Sequence, residues 1–370
     1  MNEADGAAEH HAAWVAANLL DPVSATAASR LELLTWLAAR GLTIDEMVEA
    51  DRCGQLNSVA GDRALRPGPR LTPRELAERV GIDTAMVHDV RRASGFPAME
   101  DATAGLTHED VRMFELFEAA AGFFARDEVL RLATVMGAAM RRIADACGET
   151  FLRDVEAPMK ERSPTNELDM AKANLAGIEL ARAATAVFAP MFLGHLEVST
   201  QRTRDARQDS EDYETVPLAV GFVDLSGFTE RAAALAPRDL RDLIVDFEMR
   251  ASGIVGDHDG RVIKLIGDEV MFSAISADAA CAIGDALIHA APTGTHARGG
   301  VAYGEVIASG GDLYGSVVNL ASRIADIAVP DELLVNEAVV TGAPARRFEP
   351  AGRRRLKGFN DPVRLWSLRS

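Results

Sequence analysis

The feature that most restricts how this chain can fold is a change of periodicity near residue 210. The segment Arg204 to Thr215 is almost wholly polar, carries Asp205, Asp209, Glu211 and Asp212, and reads as a linker. Before it, apolar residues recur at helical spacing; after it, short apolar runs alternate with amphipathic stretches. The two patterns call for two different layer architectures and so for two cores. A chain of 370 residues with 48% hydrophobic content is long enough to build both. The expected organisation is an all-α N-terminal domain over 1–163, a long helix and linker over 164–215, and an α+β domain over 216–370.

In the first half Leu31, Leu34 and Leu37 fall at helical spacing before Gly41, and Ile44 to Val48 opens a second helix. Thr72-Pro73-Arg74-Glu75 is a capping box with proline at the first helical position. Gly81 closes that helix, Asp83 can cap the next, and Met86, Val87 and Val90 supply its buried face. Further helices fit Glu109 to Phe124, Asp127 to Cys147, and a long one from Pro164 toward Thr203. The apolar window Ala183 to Gly194 is shorter than a membrane span and reads as a core or dimer helix, with Pro190 expected to kink or break it.

A net charge of −17 argues against a chain whose main task is to coat nucleic acid or an anionic membrane. Leu71 to Phe96 has the outline of a helix-turn-helix, with Arg91 and Arg92 at the end of its second helix. The few basic residues between Thr84 and Val90 leave DNA binding as the weaker use, and packing as the plainer one. Cys53, Cys147 and Cys281 form neither a CxxC pair nor a His-rich cluster, so they read as reduced, buried thiols of a cytoplasmic protein. The polar, acidic start Met1 to Ala17 lacks the regions of a signal peptide, and no transmembrane segment is expected.

In the second half Val216 to Val223 is a nearly continuous apolar run, the mark of a strand buried on both faces. A helix follows over about Leu240 to Val255. Arg261 to Ile266 and Val270 to Ile275 then flank Gly267-Asp268 as a hairpin with its acid at the tip. Helix Ala277 to Ala290, strand Arg298 to Val301, a glycine-rich loop, a helix from about Ser316 to Ile327, and strands Glu332 to Val335 and Val363 to Leu368 complete the domain. Asp224 in Val-Asp-Leu-Ser-Gly-Phe-Thr and Asp268 in Lys-Leu-Ile-Gly-Asp-Glu each stand at the end of an apolar strand beside glycine. Such a pair can share divalent cations, and Mg²⁺ in particular takes few protein carboxylates and fills its other positions with water and phosphate oxygens. Phosphoryl chemistry is the first expectation. In a third cluster, Gly311 to Arg323, Asn319 and Arg323 lie four apart on one helix face, a neutral donor beside a guanidinium, which suits an anionic transition state.

Taken together these segments resemble the catalytic domain of the class III nucleotidyl cyclases, over about Val216 to Leu368, in order, spacing and residue type. The resemblance implies a ferredoxin-like βαββαβ core and conversion of a nucleoside triphosphate to a 3′,5′-cyclic monophosphate and pyrophosphate. It implies that Asp224 and Asp268 hold two Mg²⁺ or Mn²⁺ ions per active site, with Leu225 lending a carbonyl. The backbone through Gly227, Phe228 and Thr229 would line the phosphates. Lys264 and Asp312 match the pair that reads adenine in adenylyl members, which makes ATP the expected substrate. Asn319 would orient the ribose, Arg323 would stabilise charge at the α-phosphate, and Lys357 would reach the terminal phosphates. In this family the metal aspartates and the base-reading residues of one site come from different subunits, so a homodimer with two shared sites is implied.

The arrangement of helical half, charged linker and catalytic domain also resembles soluble actinobacterial adenylyl cyclases with an autoinhibitory, pH-responsive N-terminal domain. On that footing a proton or a fatty acid is the expected regulator. His88, His108 and His195 are the candidate proton sensors, His195 first because of its place near the domain junction. Two other readings compete: a DNA-binding regulator whose cyclase-like domain only senses nucleotide, and a diguanylate cyclase suggested by Ile266-Gly267-Asp268-Glu269-Val270. The second leaves Asn319 and Arg323 without a role.

Overall fold

The computed structural model describes residues 3–162, 166–206, 214–228, 233–292 and 294–369, with side chains from residue 10 onward. The expected linker falls largely outside these residues, as do Pro164 and Thr229. Two compact units are present, Met1–Phe192 and Leu193–Ser370, so the division falls inside a helix rather than at the polar linker.

The first unit is helical. Its helices are α1 (Glu3–Ala16), α2 (Ala27–Ala38), α3 (Ile44–Arg52), α4 (Val59–Leu65), α5 (Pro73–Val80), α6 (Thr84–Ala93), α7 (His108–Ala121), α8 (Arg126–Phe151), α9 (Ala157–Arg162), α10 (Glu167–Ala184) and α11 (Phe188–Ala206). Local chemistry sets many of their ends. Thr43 with Glu46 and Thr72 with Glu75 form reciprocal capping boxes, Asp83 accepts the Ala85 N–H, and Gly81 takes the left-handed conformation that ends α5 at φ 81°. Two hydrophobic clusters fill the unit. Trp14, Leu33, Leu34, Leu37 and Met47 form one; Leu71, Leu76, Val87, Val90 and Phe114 form the other.

Several expectations need correction here. Arg91 is buried, its Nη2 donating to the Pro97 carbonyl at 3.1 Å, and it shares the inward face of α6 with Met86, Val87 and Val90. A guanidinium spent on an internal carbonyl cannot also read a base edge, whereas Arg92 is exposed beside Asp89. Cys53 and Cys147 are exposed and only Cys281 is buried. The Ala183 to Gly194 window is not core: Val187, Met191, Phe192 and Leu193 are exposed, as are Leu196 and Val198 just beyond it. A 3-10 turn at Thr185–Val187 precedes Pro190, which places the expected irregularity where proline withdraws its N–H from the ladder. Because alanine-rich α10 runs into α11, the combined span Glu167–Ala206 is long and apolar enough, by length and composition alone, to cross a membrane; its most apolar 18-residue window has mean hydropathy 1.3.

The second unit is an α+β sandwich. In chain order it contains β1 (Val216–Ser226), α12 (Pro237–Asp257), β2 (Arg261–Ile266), β3 (Glu269–Ala274), α13 (Ala277–His289), β4 (His296–Ser309), β5 (Asp312–Tyr314), α14 (Ser316–Ile327), β6 (Leu333–Asn336), α15 (Glu337–Gly342), β7 (Arg347–Arg354) and β8 (Val363–Arg369). The sheet order is β2-β3-β1-β4-β6-β8-β7, with β5 paired to β4. Its first four strands are antiparallel and take the ferredoxin-like βαββαβ arrangement. The unbroken apolar run of β1 follows from burial on both faces. Ala219, Val223 and Leu225 pack with α12 and α13, while Val220 and Phe222 pack under α14. On β4, a Cβ at Gly300 would fall 2.3 Å from the Ala325 backbone nitrogen, so only glycine lets α14 lie this close to the sheet. That contact fixes where Asn319 and Arg323 stand. Strand β4 is much longer than expected, and β5, α15 and β7 have no counterpart in the sequence reading, being short or interrupted by proline and glycine.

Candidate active site

The register of three strands builds the acidic end of the site. Asp224 of β1 sits opposite Glu269 of β3 on one side and opposite Arg298 of β4 on the other. Gly267, at φ 66°, makes the hairpin turn that presents Asp268, and the Leu225 N–H donates to the Asp268 carbonyl at 3.4 Å. Asp224, Leu225 and Asp268 are thereby brought together as expected.

The electrostatics of this end are unfavourable by construction. Burial, and then the neighbouring Asp268 charge, push the Asp224 carboxyl above the usual carboxylate range. Glu269 is pushed up to about 7, first by burial and then by the charges of Asp224, Asp326 and Asp268, with Arg298 opposing them. Arg298 Nη2 reaches Asp224 Oδ2 at 3.4 Å. Its Nε, like Ser226 Oγ, is buried without a hydrogen-bond partner among the described residues. Acids set this close need a shared proton or a cation to neutralise them. Two aspartates with a neighbouring carbonyl suit a hard divalent cation such as Mg²⁺ or Mn²⁺ that keeps positions open for substrate. Among the described residues no three acidic, histidine or cysteine side chains form a closed metal cage.

A second cluster stands on β2 and β5. Lys264 Nζ donates to Asp312 Oδ2 at 2.6 Å, and the Leu313 N–H donates to Asp312 Oδ1 at 2.8 Å. Partial burial works against the Asp312 charge, but these two bonds prevail and hold its carboxyl below the usual range. The strand bulge between Val262 and Lys264 gives Lys264 its register opposite Met271.

The third cluster lies on α14. Asn319 is exposed, and Arg323, one turn later, donates from Nη1 to Asp326 Oδ2 at 2.8 Å. Of the expected phosphate-lining residues, Gly227 adopts φ 79°, and Phe228 buries its ring in the core, leaving only its backbone to face a ligand. Thr229 lies outside the described residues. Lys357 is exposed on the turn after β7, beside Gly358 at φ 89°, and bonds to none of the other site residues among those described. His195 is exposed on α11. His88 pairs with Asp101 at 2.6 Å, and His108 is exposed at the start of α7.

Sequence reasoning missed Glu269, Arg298 and Asp326 as members of the site. Glu269 lay within a quoted motif but carried no role, and Arg298 marked only the start of a strand. The contribution of these two depends on strand order, which places β3 and β4 on either side of β1 and which no local spacing reveals.

Comparison with known proteins adds independent findings. Residues 14–198 match the family model described as the adenylate cyclase regulatory domain, and residues 209–370 match the adenylate and guanylate cyclase catalytic domain. An adenylate cyclase of Streptomyces coelicolor is 31% identical over 289 residues, covering 76% of this chain and 74% of its own length. An uncharacterized protein of Mycobacterium tuberculosis is 31% identical over 343 residues, 92% of this chain and 90% of that protein. A pH-sensitive adenylate cyclase of the same species is 28% identical over 382 residues, 95% of this chain and 91% of the relative.

Proposed function

The chain belongs to the class III adenylate cyclases that carry an N-terminal cyclase regulatory domain, and from that premise we propose that it converts ATP to 3′,5′-cyclic AMP and pyrophosphate at two sites shared across a homodimer. The observation that carries this reading is the meeting of Asp224 and Asp268 at the end of β1, where Arg298 offsets only part of the crowded negative charge and the Asp224 carboxyl stays raised. Asp224 and Asp268, with the Leu225 carbonyl, would hold two divalent cations. When bound there, such ions supply Lewis-acid activation of the ribose 3′-hydroxyl and neutralise the triphosphate.

The chain's own residues do the rest. Lys264 donates to adenine N1 and Asp312 accepts from the exocyclic amine; guanine inverts that pattern. The direct Lys264–Asp312 bond at 2.6 Å must open for adenine to enter. Asn319 orients the ribose and Arg323 takes up charge developing at the α-phosphate. Arg298 adds a guanidinium beside the acids, and Lys357 approaches the terminal phosphates from the turn after β7. Backbone N–H groups after Gly227 face the phosphates. Exposed Ile266, Ile307 and Tyr314 on and beside the outer strands support a surface that a second copy covers.

Regulation is assigned to the helical unit. The exposed apolar residues of α11 support contact with a second copy, through which dimer rearrangement would join or part the complementary residues. A cavity of about 720 Å³ lies between α4, α8 and α10, lined by Leu65, Met140, Ile143, Phe151 and Ile178 with Glu156 and Lys160 at its polar side. Its volume and apolar lining suit an acyl chain, such as that of a fatty acid, whose carboxylate would have to displace Glu156 from Lys160.

The decisive assay is purified full-length protein with Mn²⁺ and either ATP or GTP, beside D268A, K264E and a chain lacking residues 1 to 210. Cyclic AMP from ATP, silence in D268A, loss of ATP preference in K264E and altered basal activity on truncation are expected. Mixing D224A with R323A should restore about a quarter to a half of one site's activity if the sites are shared; no recovery from well-folded partners would refute the shared site.

A further inference from the structure

Arg323 is the residue to which the charge-stabilising role falls, yet it stands on an exposed helix face with many rotamers open to it. One feature of α14 limits them. Asp326, three residues on, accepts from Arg323 Nη1 at 2.8 Å and leaves the remaining donors of the guanidinium fork unclaimed by that bond.

The location of this carboxylate is electrostatically poor. Asp326 occupies the last turn of α14, where the helix dipole opposes a negative charge and where no basic residue compensates within the turn. It also faces the charge of Glu269. A carboxylate in such a place weakens the fold unless its partner gives it a purpose.

Asp326 is also held in place from behind. Arg298 Nη1 donates to the Asp326 carbonyl at 3.2 Å and to the Ala328 carbonyl at 3.3 Å, while Nη2 of the same side chain reaches Asp224. The last turn of α14 is therefore strapped to β4 and to the acidic end of the sheet. A carboxylate on a fixed backbone is a fixed aiming point for the arginine that it binds.

We infer that Asp326 is a positioning residue for the cyclisation step: it acts through Arg323, holding the guanidinium so that its free donors point where charge develops on the α-phosphate. This rests on the assignment of Arg323 proposed above. It makes no claim on substrate contact by Asp326 itself. Because an exposed pair restricts rotamers only modestly, the expected consequence is measurable but small beside that of losing the arginine.

The test is a double-mutant cycle in the full-length chain with ATP and saturating Mn²⁺, reading kcat and KM separately. R323A should lower kcat on the order of a hundredfold. D326N should lower kcat about fivefold with KM inside about twofold, and D326E should recover most of the difference. D326N added to R323A should cost less than about twofold more, since the carboxylate has nothing left to aim. Melting temperature and dimer size are measured on the same preparations; dimer size should not move and melting temperature should not fall in D326N, since the charge removed is one that the helix dipole and Glu269 disfavour. Unchanged kcat in D326N, or a full fivefold further loss in the double variant, would overturn the inference while leaving Arg323 in its role. Near-normal turnover by R323A would instead overturn the assignment beneath it.

Discussion

The two units of the chain treat charge in opposite ways. In the helical unit, buried or half-buried ions are paired or spent on the backbone. Arg30 bridges Asp51 and Glu167, with its link to Glu167 at 2.9 Å, and donates to the Leu19 carbonyl at 3.0 Å. On the surface, Glu46 and Glu75 close capping boxes; inside, Arg91 serves an internal carbonyl. In the catalytic unit Asp224, Asp268 and Glu269 crowd one sheet end with Arg298 as their nearest cation. Charges that satisfy one another build architecture, whereas like charges held together against their own repulsion anticipate a ligand of opposite sign.

The contrast predicts a stability–function exchange at the acids. D224N should lower cyclase activity by on the order of a hundredfold or more. The same change should raise the melting temperature of metal-free protein, because it removes one charge from the cluster. An activity loss accompanied by a lower melting temperature would mean that Asp224 is a structural group and would break the comparison.

How much of this was legible in the sequence differs between the units for the same physical reason. Chemistry at strand ends and on one helix face leaves a local signature, so Asp224, Asp268, Lys264, Asp312, Asn319 and Arg323 could all be named as candidates from spacing and resemblance. The helix Ser316–Ile327 was bounded to the residue, because its start follows a glycine and its apolar face is regular. Arg298 and Glu269 act across strands, and the order β2-β3-β1-β4 that unites them is a tertiary fact; Asp326 lies three residues after Arg323 on the same helix and was missed although local spacing could have found it. In the helical unit the caps at Thr72 and Asp83 were readable. Periodicity could not tell which apolar stripes meet a partner within the chain, so the start of α11 was left open between a core and a dimer helix, and the structure removes the core alternative.

A second prediction tests the other side of the contrast. Arg30 is only 19% exposed, and R30A would strand two carboxylates and a carbonyl. The expected cost is about 2–3 kcal/mol in urea unfolding of the helical unit. By comparison R52A, which removes an exposed pair with Glu49, should leave the unfolding midpoint where it is. Equal effects of the two would show that pairing in this unit is incidental.

The smallest effect concerns pH, and its sign separates the two kinds of charge. Glu269 titrates near 7 in the folded chain against an ordinary carboxylate value of about 4.5. Between those values the folded state binds more proton than the unfolded state, so stability is present at low pH and is lost as pH rises through about 7. In metal-free protein this should appear as a decline of about 1 kcal/mol from pH 5.5 to 8, less than the bare shift implies because the group is only half-buried and solvent screens it. E269Q should flatten that decline, and added Mn²⁺ should flatten it in the native chain by neutralising the neighbouring aspartates. Paired acids of the helical unit, such as Glu46, whose carboxyl is held low mainly by the Thr43 N–H, act in the opposite direction and only at acidic pH. A stability profile whose slope between pH 5.5 and 8 survives both E269Q and Mn²⁺ would assign it to some other group and would remove Glu269 from the strained cluster.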